Sequence, residues 1–310
     1  VDALGLVGPS AASALDSRDN ARMKAAFEKA GVPCARGGAY DAREAAGEAA
    51  ATLGFPLVVK PAASSGSRGV TVVRGPSDLE LAWQAARAIE EGPVIVEEFL
   101  TGVEYGAQAV IHGDQVVEVV VHDDTVTSEG PPTPIGHAMP TKLSDADRAA
   151  TTEVVARAAA ALGLRDCIAN VDLMLTNDGP RIIEMAGRIG ATGIPEIMAH
   201  HHGWDVYGHL IALALGDRPV VPSPAARPNA FLLIRSSVAG TVKSLEVPPE
   251  IANHPDLLDL QWDVGPGDEV RAFRVGPDRI GHIQAGGPDA PTAERTVEEM
   301  HAGLMIEVTP

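Results

Sequence analysis

The sequence predicts an α+β fold, with helices and short strands mixed along the chain and antiparallel strands dominating its last third. Three observations carry that expectation. A turn signal at Asn177, Asp178 and Gly179 joins two apolar-rich runs into a hairpin within residues 170–193. Several other stretches repeat apolar residues at helical spacing. Beyond Arg218 a proline-rich segment gives way to strand-like runs separated by turn signals.

A chain of 310 residues is long enough for a large core divided among two or three subdomains. With 45% hydrophobic and 21% charged residues, its composition is that of a globular protein. The formal net charge of −18 argues against nucleic acid or an anionic membrane as the main partner. No apolar run reaches membrane-spanning length, and the first residues lack the basic-then-apolar layout of a signal peptide, so a cytoplasmic location is expected. Cys34 and Cys167 suggest neither a disulfide framework nor a zinc site and are expected to be buried thiols. The opening VDALGLVGPS, without an initiator Met, reads as mid-protein and predicts that something precedes Val1.

In chain order, residues 18–30 place Met23, Ala26, Phe27 and Ala30 on one helical face, with Asp19 or Asn20 as cap and Gly31 then Pro33 as stops. Residues 41–53 form a second helix, ended by Gly54 and Pro56. In LVVKPAASSGSRGVTVV, residues 57–73, two β-branched runs flank a loop of Ala, Ser and Gly. Such a loop brings backbone amides to phosphates, and Lys60 supplies a point charge. The GxxxxGK[ST] pattern is absent, so a mobile connector is the plain alternative. Residues 77–90 read as an amphipathic helix, with Ser77 and Glu80 forming a capping box. PVIVEEFLTGVEYGAQAVI then gives two strands joined through Glu97, Glu98, Phe99, Leu100 and Gly102. The acidic pair offers a carboxylate to an exocyclic amine, or else two solvated acids on an ordinary hairpin.

Residues 123–141 lack periodicity and read as a long irregular loop, functional or disordered, with His137 as a substrate-contact candidate. An Ala-rich helix over 144–162, capped by Ser144, leads into the hairpin, and WDVYGHLIALALG forms another helix beyond it. The run His200, His201, His202 reads as a polar helix end, because consecutive helical positions cannot converge on one metal. Past the linker VVPSPAARP, the runs FLLIRSS, GTVKSLEV, DEVRAFRV and RIGHIQA are expected as strands, followed by a helix over 293–304 and a last short strand.

With a three-residue loop in the hairpin, Thr176 pairs with Pro180, Met174 with Ile182 and Asp172 with Glu184. Directly opposed side chains lie about 5 Å apart at Cβ, where like charges repel. A divalent cation with oxygen ligands resolves that conflict, and magnesium takes one or two carboxylates with water and phosphate completing its shell. Arg188, four residues past Glu184, adds a positive charge for an oxyanion. A surface hairpin with both acids in water is the plain alternative, and a bulge would turn one of them to the other face.

Taken in order, AGVP after a helix, VVKPAASSGSRGV, VEEFLTGVEY, the GHAMP stretch, VDLML with IIEMAGRIGATG, and a β-rich C-terminal lobe resemble the ATP-grasp superfamily over essentially the whole chain. Within it, the chain looks most like the amino-acid ligase branch of carboxylate–amine ligases. The resemblance implies two α+β subdomains gripping ATP: a helical lead-in over 1–55, a small lid subdomain over 56–113, a large subdomain with the metal hairpin over 114–218, and a β-rich lobe over 219–310. It also implies ATP and Mg2+, with Mn2+ as a substitute. By that resemblance Lys60 would bind ATP phosphates, under a lid containing Ser64, Ser65, Gly66 and Ser67. Glu97, with Glu98 beside it, would meet the adenine amine, Leu100 the ring edge and Glu104 the ribose. Asp172 and Glu184 would hold magnesium. Arg188 would act with Lys60 in catalysis and stabilise the acyl-phosphate or the tetrahedral intermediate, while His137 and Gly190 would line the substrate site.

Two departures from the family pattern add expectations. Ala186 stands where the family commonly has Asn, and because Ala186 faces Asn170 in the register above, Asn170 is expected to serve as the third metal ligand. Asn20 stands where many relatives carry a basic ATP-binding residue, and Lys24 is its expected substitute. The opening of the chain corresponds to the family's middle, so an N-terminal α/β domain of roughly a hundred residues is expected to be missing. The implied reaction joins a carboxylate, such as that of an amino acid, to an amine through an acyl-phosphate, releasing ADP and phosphate. Those two small molecules are the expected partners, and a homodimer is a family-level expectation. The alternatives are a kinase or carboxylase of the same fold and a nucleotide-binding subunit without turnover.

Overall fold

Caps and breakers set the helix boundaries. Asp19 accepts hydrogen bonds from the Ala21 and Arg22 amides at 2.9 and 3.1 Å, so it starts one helix where another ends. The helix expected over 18–30 is α2 (Asn20–Ala30), which Gly31 ends in the left-handed conformation, and an unanticipated helix, α1 (Ala11–Arg18), capped by Ser10, runs into it. The computed structural model describes residues 2–64, 66, 68–127 and 133–310.

In chain order there follow β1 (Gly37–Tyr40), α3 (Arg43–Leu53), β2 (Leu57–Pro61), β3 (Thr71–Val73), α4 (Leu79–Ile89), β4 (Val94–Glu98), β5 (Val103–His112), β6 (Gln115–Val126), β7 (Pro134–Met139), α5 (Asp145–Ala161), β8 (Cys167–Thr176) and β9 (Gly179–Ala186). Next come α6 (Ile194–His202), α7 (Val206–Ala214), β10 (Asn229–Ile234), β11 (Gly240–Glu246), α8 (Pro249–Ala252), β12 (Leu257–Trp262), β13 (Glu269–Val270), β14 (Gly281–Gly286), α9 (Ala290–Gly303) and β15 (Met305–Thr309).

Three expectations need correction. No capping box starts α4: Pro76–Asp78 forms a 3-10 turn, and Glu80 bonds Arg43 and Gln84 instead. Of residues 123–141, expected as an irregular loop, 128–132 lie outside the described residues and the others are mostly strand, because β6 reaches Val126 and β7 begins at Pro134. All of β7 from Ile135 to Met139 is buried, so no polar alternation marks it in the sequence. DEVRAFRV supplies only the two residues of β13, while the unanticipated LLDLQW forms β12 against β14.

The chain divides into two compact units, and β6 begins in the first and ends in the second. The first unit holds an antiparallel sheet in the order β1, β4, β2, β3. Helices α3 and α4 bury Ala46, Ala82 and Trp83 against its Leu57, Val59, Val94 and Val96. Full burial of Leu57 and of Val59 is worth about 1.5–3 kcal/mol each. The same unit pairs β5, β8 and β9, with α5 packed on them and the buried Tyr105 hydroxyl 2.7 Å from that of Thr151.

In the second unit the end of β6 pairs with β7, and β7, β10, β14 and β12 continue the sheet. Helix α9 covers it through Ala293, Val297 and Met300, which meet Leu232, Ile234 and Ile283. A small sheet of β13, β11 and β15 completes this core. Among the described residues, no helix is long and apolar enough to cross a membrane.

Candidate active site

Strand register brings the first charge cluster together. Lys60 on β2 stands opposite Ile95 of β4, so Glu97, two residues along β4, is its diagonal neighbour on the same face. Lys60 Nζ lies 2.7 Å from Glu97 Oε1, and Lys24 Nζ, from α2, lies 2.9 Å from Glu97 Oε2. Lys24 also donates to the Ala35 carbonyl. Burial opposes the Lys60 charge, but Glu97 more than offsets it and holds the ammonium above its ordinary pKa. Burial likewise opposes the Glu97 anion, and Lys60 and Lys24 hold that carboxyl below its ordinary value. The cavity lined by these three side chains is about 10 Å³, room for one water molecule. Glu97 thus ties two lysines together.

Glu98 points elsewhere, with Arg36 Nε at 2.7 Å and Arg181 Nη1 at 3.1 Å. Leu100 is half-buried in the connection after β4, and Glu104 of β5 stands opposite Met174 of β8. In the loop between β2 and β3 the Ser64 hydroxyl donates to the Arg68 carbonyl at 2.9 Å, and Gly66 adopts φ 68°, which favours glycine. Ser65 and Ser67 lie outside the described residues.

The hairpin turn is tighter than expected. Thr176 pairs with Gly179 and Met174 with Arg181, instead of Pro180 and Ile182, leaving a two-residue loop. A bulge at Ile183 then restores the offset, so Asp172 does stand opposite Glu184, and Asn170 opposite Ala186. Burial first, and then the charge of Asp172, push Glu184 up to about 7, against the opposing pull of Lys60 and Arg188. Two carboxylates held opposite each other are a donor set suited to a hard divalent cation. Asn170 does not turn its oxygen that way. The oxygen accepts from Gln108 Nε2 at 2.6 Å, and the amide nitrogen donates to Asp172 Oδ1 at 2.9 Å, so Asn170 orients Asp172.

Beside Glu184 opens a cavity of about 450 Å³, lined also by Ser64, Arg68, Ala186, Arg188 and Arg18. Three guanidiniums next to a carboxylate suit a phosphate-bearing ligand that carries a cation. Arg18, at the end of α1, escaped the sequence reading, although Ser10 ahead of an Ala-rich run signals a helix start. Gly190 is buried in the loop after β9.

A second cluster lies in the second unit. Asp124 of β6 stands opposite His137 of β7, and His122, two residues before Asp124, shares its face. Asp124 Oδ1 accepts from His137 Nδ1 at 2.6 Å and from His122 Nδ1 at 2.8 Å. All three side chains are at most 5% exposed. Burial opposes the Asp124 anion, and the two imidazoles hold its carboxyl well below the usual range. His122 and Asp124 were not anticipated; they lie in a consecutive polar run, His122 to Thr125, that follows three valines and carries no alternation. In the His200 to His202 run, His201 and His202 each place Nδ1 3.2 Å from a backbone carbonyl oxygen, of Arg227 and Pro222.

The family model described as an ATP-grasp domain matches residues 53–196, and the one described as L-amino acid ligase C-terminal domain 2 matches 232–309. The chain is 26% identical to uncharacterized protein y4rH of Sinorhizobium fredii over 98% of this chain and 64% of that protein. It is 28% identical to the alanine–anticapsin ligase of Bacillus subtilis over 63% of this chain and 46% of the ligase. It thus spans less than two thirds of either relative. The crystal structure of an L-amino acid ligase from Bacillus licheniformis superposes with a TM-score of 0.83 over 100% of this chain and 76% of that one, at 19% identity, which is a likeness of fold.

Proposed function

We propose that this chain, which belongs to the ATP-grasp superfamily and carries the C-terminal domain of L-amino acid ligases, is an ATP- and magnesium-dependent ligase that joins a carboxylate to an amine. The observation that carries the reading is the opposition of Asp172 and Glu184 beside a cavity edged by Arg18, Arg68 and Arg188. A nucleotide polyphosphate with its cation needs both kinds of charge side by side.

Asp172 and Glu184 would hold the magnesium, and Asn170 keeps the Asp172 carboxylate in place. When bound there, the ion would supply charge neutralisation for the phosphoryl group. Lys60 and Lys24 offer point charges to the phosphates, with Glu97 holding both ammonium groups in position. The loop of Ser64 and Gly66 contributes backbone amides. In the first step a substrate carboxylate oxygen attacks the terminal phosphorus of ATP and ADP leaves, giving an acyl-phosphate. An amine then attacks the acyl carbon and phosphate leaves, while Arg188 balances charge on the carbonyl oxygen. Neither step requires a nucleophilic side chain, so positioning and charge suffice. The L-amino acid ligase likeness of the C-terminal domain and the alanine–anticapsin ligase relative support an amino acid as one substrate and a second amino acid or similar amine as the other.

Phosphate release from ATP and magnesium, screened against pools of amino acids, tests the reading. Release that requires both an acid and an amine, yields ADP and is lost in Glu184→Ala is the expected result. A phosphorylated product without amide would identify a kinase, and bicarbonate dependence a carboxylase. ATP binding with no release from any pool would overturn turnover altogether.

A further inference from the structure

We propose that Gln108 is a positioning residue of the magnesium site, which sets the amide of Asn170 so that its nitrogen holds Asp172; the inference rests on the reading of Asp172 and Glu184 as metal ligands. All of these residues lie in the first unit. Strand register puts them on two neighbouring rungs of one sheet face. On the first rung, across β5, β8 and β9, Gly106 stands opposite Asp172 and Asp172 opposite Glu184. On the second, Gln108 stands opposite Asn170 and Asn170 opposite Ala186. Gly106 has no side chain with which to brace Asp172 from β5, and Glu184 faces it with a like charge from β9. Asn170 supplies a hold from the side, its Nδ2 donating to Asp172 Oδ1 at 2.9 Å.

Asp172 dictates the direction of every hydrogen bond in this row. An ionised carboxylate accepts and cannot donate, so the Asn170 atom beside it has to be the amide nitrogen. The Asn170 oxygen then faces the other way, where only a donor can meet it. Gln108 Nε2 is that donor, at 2.6 Å. Ala186, on the far side of Asn170, has only a methyl group and offers no hydrogen bond. Gln108 is 0% exposed, so no solvent molecule takes its place.

The main chain of Asn170 is fixed separately, its backbone amide donating to the Arg188 carbonyl at 2.8 Å. What remains free is the turn of the side-chain amide, and Gln108 removes that freedom. Turned over, the amide would present its oxygen to the Asp172 carboxylate, and the hold would become a repulsion. A site built on two carboxylates depends on their aim, and outer partners that orient a metal ligand are worth about 10–100-fold in metal affinity.

Titration of the nucleotide-free chain with Mn2+, followed through the electron paramagnetic resonance signal of the free ion, tests the proposal, with circular dichroism to verify the fold of each variant. Gln108→Leu should bind Mn2+ about 10-fold or more weakly than wild type, and Asn170→Leu by a similar factor. Gln108→Asn, which withdraws the amide by one methylene and keeps the position polar, is the milder variant and should weaken binding in the same direction. Because Gln108 acts through Asn170, the variant carrying both Gln108→Leu and Asn170→Leu should bind no more weakly than Asn170→Leu alone. A Gln108 that served structure only would lower stability in both backgrounds and leave the Mn2+ dissociation constant where it is. An unchanged constant in Gln108→Leu and Gln108→Asn, or a double variant in which the two losses multiply, would overturn the proposal and leave the metal site standing. Failure of the wild type to bind Mn2+, or equal binding by Glu184→Gln, would remove the metal site and the proposal with it.

Discussion

Glu97 and Glu184 are both acids near strand ends in the first unit, and their surroundings are opposite. Glu97 lies between two ammonium groups at 2.7 and 2.9 Å, which hold its charge in place. Glu184 faces Asp172, and burial with that like charge pushes it up to about 7. A buried charge that is compensated within the chain holds structure together. One that faces a like charge beside a 450 Å³ cavity is suited to a ligand that brings a cation.

The largest effect expected from this comparison is in Glu97→Ala, which leaves Lys24 and Lys60 buried without their shared carboxylate. Urea unfolding should report a loss of about 3–5 kcal/mol. A loss below about 1 kcal/mol, the range of an exposed pair, would mean that the lysines turn to solvent and the contrast with Glu184 is gone.

Glu184→Gln should act in the other direction. With its folded pKa raised to about 7 from an ordinary 4.5, the Glu184 carboxyl ionises in the unfolded chain first as pH rises. Its favourable contribution is therefore present below pH 4.5 and is lost as pH climbs to 7. In the presence of a chelator, the variant should be about 1–3 kcal/mol more stable than wild type at pH 8 and no more stable at pH 4. Equal stability at both pH values would mean that Glu184 is solvated and shares nothing with Asp172.

Magnesium supplies a smaller change. At ten times its dissociation constant it should stabilise the wild type by about 1.4 kcal/mol in thermal unfolding and leave Glu184→Gln unmoved. Smallest is Asp19→Ala, which removes the cap between α1 and α2 and should cost about 1 kcal/mol without altering the magnesium response.

The sequence was most readable where local chemistry decides structure. Asn177, Asp178 and Gly179 announced the hairpin, and Asp172 was matched correctly to Glu184. That match came from two departures that cancel: the loop is one residue shorter than expected, and the bulge at Ile183 inserts one. Bulges leave little trace in composition, so the pairs nearest the turn were misassigned. Strand β7 stayed hidden because burial on both faces erases the alternation that marks a half-buried strand. Lys24 and Lys60 were legible as charges, but their convergence on Glu97 depends on the register of β2 with β4 and on the packing of α2, which no single stretch encodes. Asp124 and His122 were missed for the same reason, since only the pairing of β6 with β7 makes them neighbours of His137.

The most direct test of the ligase reading is mass spectrometry of the products formed from ATP, magnesium and an active pair of substrates. The account predicts ADP, phosphate and one new compound whose mass is the sum of acid and amine less one water. ADP accompanied by a phosphorylated acid or amine, with no such condensed product at any amine concentration, would contradict it.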